Sequence, residues 1–112
     1  MIKTTTKLTL AGIVLAISTG AAFAAPAAQN WEDSCSSCHG SDGKGQTKQG
    51  KKLKLRDYTD AKVKAELKDE EMVKAILEGV KADGKERMKS FKDDYNEADA
   101  KALVAFIREL KP

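Results

Sequence analysis

Residues 35–39 read C-S-S-C-H, and they hold both cysteines and the only histidine of a 112-residue chain. Three reactive side chains in five positions admit few explanations: a disulfide, one corner of a metal site, or covalent attachment of a porphyrin. A bridge between Cys35 and Cys38 would close a trivial loop, and short loops restrict the unfolded chain least, so it would add little stability. Structural zinc wants four ligands in closed geometry, more than this motif offers. A thioredoxin-like dithiol needs a βαβ context that the chain lacks. The spacing C-x-x-C-H is instead the attachment sequence of c-type haem. On a helical turn, cysteines three apart present both sulfurs to one side, where they can meet the two vinyl groups of one porphyrin edge. His39, four residues after Cys35, lies along the same face and can point at the iron.

The rest of the chain bears on that choice. Its length suits one small domain. The net charge is +3, and Lys3 and Lys7 alone leave 18 basic and 17 acidic residues after them, so the domain is nearly neutral and carries no nucleic-acid signature. The two lysines precede an apolar run over residues 8–17, and Ala22-Phe23-Ala24 forms an A-x-A site. That is the pattern of a secretory signal spanning residues 1–24, cleaved after Ala24 to leave residues 25–112 as a periplasmic domain. The apolar run is short for a bilayer span, which needs about 20 residues. A domain this small has a weak core and gains from a staple, which a buried haem would supply.

The periodicity is helical and predicts an all-α domain of about four helices with two long loops. A first helix is expected over about 28–38, with Trp31 and Cys35 one turn apart, followed by a turn-rich loop over residues 41–50. Two helices follow, the first capped by Thr59 or Asp60. Asp69 caps the second, with Met72, Val73, Ile76, Leu77 and Val80 as its apolar stripe. Residues 81–87 read as a polar loop. The last helix is capped by Asn96 with Asp99 three residues on, and buries Leu103, Phe106, Ile107 and Leu110. No strand signal is visible.

With one histidine, bis-histidine ligation within the chain is excluded. Met1 leaves with the signal. Met72 lies on an apolar stripe and reads as core packing. Met88, in E-R-M-K-S-F, sits off any helical stripe and suits a second axial ligand delivered from the opposite side. Met72 as ligand and an open or exchangeable position are the alternatives.

In Trp31, C-S-S-C-H-G, G-S-D-G-K-G, I-L-E-G-V, Met88 and the terminal A-L-V-A-F-I-R-E-L, taken in that order, the chain resembles the small bacterial monohaem class I cytochromes c. The resemblance implies a cytochrome c-like bundle wrapped around one covalently attached haem c. Cys35 and Cys38 would be the thioether sites, His39 and Met88 the axial ligands of the iron, and Phe106 would pack near Trp31 where the first and last helices cross. It also implies a soluble electron carrier rather than an enzyme. The chain departs from the family where a proline often follows the haem motif and where another follows the ligand methionine; here Lys89 stands after Met88. Basic residues crowd the stretch after the motif (Lys44, Lys48, Lys51, Lys52, Lys54 and Arg56) and flank Met88 (Lys85, Arg87, Lys89, Lys92), which fits a monomer docking on acidic redox partners. The competing function is a haem-based binder or sensor of small gases, with Met88 displaced.

Overall fold

The computed structural model describes residues 11–13 and 24–112, so the expected export signal lies outside the described residues apart from 11–13, which have no regular structure, and its last residue, Ala24, which begins the first helix. Among the described residues there are six helices: α1 (Ala24–Ser34), α2 (Ser36–His39), α3 (Lys48–Leu53), α4 (Ala61–Glu66), α5 (Asp69–Glu78) and α6 (Glu97–Glu109). Between α5 and α6 lies one hairpin of β1 (Val80–Ala82) and β2 (Lys85–Met88). Among the described residues no helix is long and apolar enough to cross a membrane.

The core forms where α6 packs against both α1 and α5. Trp31 from α1 and Leu103 from α6 are fully buried there, joined by Met72, Ile76, Phe91, Ala100, Val104 and Ile107. Burying one such side chain is worth roughly 1.5–3 kcal/mol. The indole of Trp31 stands 5.5 Å from the ring of Phe106, as the resemblance implies. Tyr95 adds a polar tie at this crossing, its hydroxyl 2.5 Å from that of Ser34.

Helix α6 starts as its sequence predicts. Asn96 accepts from the Asp99 amide at 2.9 Å and Asp99 accepts from the Asn96 amide at 3.0 Å, a reciprocal capping box. Asp60 likewise caps α4 by accepting from the Lys62 amide. Asp69 does not cap α5: Lys68 takes that position, and the Asp69 carboxylate instead receives Nε and Nη2 of Arg108 at 2.9 and 2.7 Å. The same guanidinium donates to the carbonyls of Lys64 and Leu67, tying the α4–α5 junction to the end of α6.

Three further expectations are corrected. The first helix is interrupted at Cys35, where the Ser36 hydroxyl donates to the Glu32 carbonyl at 2.7 Å and α2 begins. Helix α3 starts inside the expected loop, because Thr47 caps it by accepting from the Gly50 amide. The polar loop after α5 is a hairpin: Val80 pairs with Met88 and Ala82 with Lys85 in antiparallel register. Val80 therefore leaves the helical stripe and is 38% exposed, while Met72 and Ile76 stay buried.

Candidate functional site

The C-S-S-C-H segment is fixed by its backbone. The His39 amide donates to the Cys35 carbonyl at 2.9 Å, closing one helical turn. Three successive carbonyls then find partners outside the motif. Cys38 accepts the Thr47 hydroxyl at 2.5 Å, His39 accepts the Gly45 amide at 2.8 Å, and Gly40 accepts the Trp31 indole N–H at 3.0 Å. The last bond joins the helix crossing directly to the motif. Gly50 is required by close approach, since a Cβ there would stand 2.3 Å from the Gly45 carbonyl oxygen and 2.7 Å from that of Cys38. The segment after the motif thus folds back onto it.

Cys35 and Cys38 are free, half-buried thiols. Burial first, and the adjacent Cys38 second, push the Cys35 thiol up to about 11. The His39 ring lies between two aromatics, 5.7 Å from Trp31 and stacked on Tyr58 at 5.2 Å. Burial lowers the His39 pKa and so favours the neutral imidazole, the form in which a ring nitrogen can bind a metal. Its Nδ1 is buried without a hydrogen-bond partner. Tyr58, which sequence reading passed over, has its phenol pushed up by burial. A lone aromatic after the K-L-K-L-R-D stretch of residues 52–57 belongs to no periodic stripe, so only the fold could place it against His39.

Met88 closes β2 and is half-buried against the same core on which Cys35 leans. Its backbone approaches the start of the hairpin so closely that a Cβ on Gly79 (φ 77°) would lie 2.6 Å from the Met88 carbonyl oxygen. The chain beyond it is pinned to α5 by Ser90 Oγ donating to Leu77 at 2.5 Å and the Phe91 amide donating to Ile76 at 2.9 Å. From the hairpin, Arg87 reaches the Leu53 carbonyl at 2.6 Å and links it to the segment after the motif. Met72 is buried in the core, as its stripe predicts.

These residues fit a porphyrin held by its edge. Two free thiols three apart on one turn, with a half-buried imidazole beside them, form the donor set that c-type attachment requires. The partnerless Nδ1 marks a polar atom buried for a reason other than packing.

A small helical bundle with this motif after its first helix defines the class of single-haem c-type cytochromes. A model of the cytochrome c family matches residues 24–111, and the chain belongs to that family, among its class I members. The KustC0563 c-type cytochrome is 32% identical, with 77% of this chain and 98% of that chain covered and a TM-score of 0.68. A mutant of that protein matches at the same identity over 77% and 99%, with a TM-score of 0.67. Cytochrome CL from the marine methylotrophic bacterium Methylophaga aminisulfidivorans shares the fold at 14% identity and a TM-score of 0.58, over 83% of this chain and 56% of that one. No curated protein matches. The chain is thus a haem-binding electron-transfer protein whose haem c is covalently bound, and its partners are redox proteins.

Proposed function

We propose that this cytochrome is a periplasmic electron carrier in which Cys35 and Cys38 hold the haem by thioether bonds while His39 and Met88 bind the iron axially. The observation that carries the assignment is the half-buried imidazole of His39, flanked by Trp31 and Tyr58, within one helical turn of both free thiols. When bound, the haem supplies an iron that cycles between ferric and ferrous states, and a thioether ligand raises its potential. The chain does the rest. The carbonyl bonds of Cys38, His39 and Gly40 keep the motif in one position in both oxidation states. Trp31 and Tyr58 flank the imidazole and keep water from it. Two protein ligands leave no site for a substrate, which suits transfer without bond making, the general role of the family rather than that of an enzyme.

The exported location rests on the signal-like segment and on the family's usual compartment. Docking of a monomer on acidic partners is supported by the exposed lysines of α3 and its end, brought beside the hairpin by the Arg87–Leu53 bond. Arg56 is engaged with Glu66 and contributes less to that face.

The test is a visible spectrum of the dithionite-reduced holoprotein before and after carbon monoxide. A c-type spectrum unchanged by the gas is expected, and Met88→Ala should bind it at once. Prompt uptake by the wild type would favour the gas-binding alternative, which the largely exposed hairpin around Met88 supports. A colourless exported protein would refute both.

A further inference from the structure

The hairpin that ends in Met88 is held very unevenly. Its base is fixed by the close approach at Gly79 and by the bonds of Ser90 and Phe91 to α5. From residue 80 to residue 87, every side chain except that of Ala82 is exposed. Its register is irregular between Val80 and Lys81, so the pairing that should hold Met88 is interrupted at its own partner. Among the described residues, one side-chain hydrogen bond joins this hairpin to the rest of the protein, from Arg87 Nη2 to the Leu53 carbonyl.

The placement of that bond matters more than its strength. Leu53 ends α3, and α3 is fastened to the motif, through Thr47 on the Cys38 carbonyl and through Gly50 packed against the same oxygen. Arg87 therefore spans from the element carrying Met88 to the element that clamps the segment carrying His39. Arg87 is left without a partner in the register, so its side chain can reach Leu53 from the irregularity while Met88 is half-buried against the core.

We infer that Arg87 is a positioning residue: its bond to Leu53 holds the hairpin closed and sets how readily Met88 leaves the iron. This rests on Met88 being the axial ligand. The bond substitutes for the stiffness that a proline after Met88 would give and that Lys89 does not. A charged donor on a carbonyl at the surface shifts an opening equilibrium by about threefold to tenfold.

The experiment uses the haem-loaded protein and two readouts. The far-red charge-transfer band of the ferric protein reports a thioether on the iron, and the rate of carbon monoxide uptake by the reduced protein reports how often that ligand departs. Met88→Ala should abolish the band; if the band survives, the axial assignment fails and takes this inference with it. With the band lost in Met88→Ala, Arg87→Ala should keep it at equilibrium yet take up carbon monoxide about threefold to tenfold faster than wild type. Arg87→Lys, which keeps a donor and the charge, should restore part of the difference. Lys81→Ala removes an equal charge from the same hairpin without touching Leu53, and should match wild type. An Arg87→Ala rate equal to wild type, or one equalled by Lys81→Ala, overturns the role of Arg87 while leaving Met88 as the ligand. Thermal unfolding of each variant separates hairpin opening from general loss of stability, and an uptake increase that merely follows a lower midpoint counts against the inference.

Discussion

Thr59 is a polar residue only 3% exposed, and Asp57 satisfies it twice: Oδ1 accepts the Thr59 hydroxyl at 2.6 Å and its amide at 2.8 Å. Those two bonds hold the Asp57 carboxyl below its usual 3.8 against the opposing effect of burial, with a lesser contribution from Lys44. Removing the acceptor leaves a buried hydroxyl and N–H unpaired, so Asp57→Ala should cost about 1–2 kcal/mol of stability near neutrality. The pH dependence has a definite sign. The unfolded chain takes up this proton first, so the contribution is whole above pH 3.8 and fades as the pH falls through the lower folded value. Denaturant unfolding of wild type and variant should show a gap that narrows in acid. A gap that stays constant would mean that Asp57 acts through packing rather than through its charge.

At the scale of elements, legibility tracked whether the deciding contacts were local. The capping box of Asn96 and Asp99 spans three residues, and the helix starts where the sequence says. The C-S-S-C-H turn is equally local, which is why Cys35, Cys38 and His39 could be singled out without a fold. The hairpin was missed although its signal was present. Asp83 and Gly84 both take positive φ, 51° and 72°, as a two-residue type I′ turn demands, and Asp-Gly is a preferred pair for it. The flanking V-K-A and K-E-R-M are too short and polar to alternate visibly, and distant contacts at Gly79, Ser90 and Leu53 stabilise them. Asp69 failed as a cap for the same kind of reason, since its partner Arg108 is 39 residues away. Gly84 offers a clean check, because a Cβ there meets nothing within 4 Å and only backbone strain is added. Gly84→Ala should weaken the hairpin by about 1–2 kcal/mol, whereas Gly84→Asn, which tolerates the left-handed region, should cost clearly less. Amide exchange in β1 and β2 reads the difference, and equal protection in the two variants would rule out the turn as the element that nucleates the hairpin.

Across the whole molecule the apolar core is lopsided. The buried apolar residues come from α1, α5, α6 and Phe91, and none lies between residues 40 and 68 or between 80 and 88. Tyr58, Leu67 and Met88 only lean on that core. The segment after the motif is instead held by polar bonds to the Cys38, His39 and Gly40 carbonyls and by the Arg56–Glu66 and Arg108 contacts. A bound haem would supply the apolar body that this half of the domain lacks. A Cys35→Ala/Cys38→Ala variant, which cannot form thioethers, should therefore lose order unevenly. Its amides in α1, α5 and α6 should keep partial protection from exchange, since Trp31 and Leu103 still pack, while those of residues 40–68 and 80–88 should exchange nearly as in an unfolded chain. If the haem-free variant protected residues 40–68 as well as the holoprotein does, the polar clasp alone would suffice. The haem would then be a passenger in a prebuilt fold rather than half of its core.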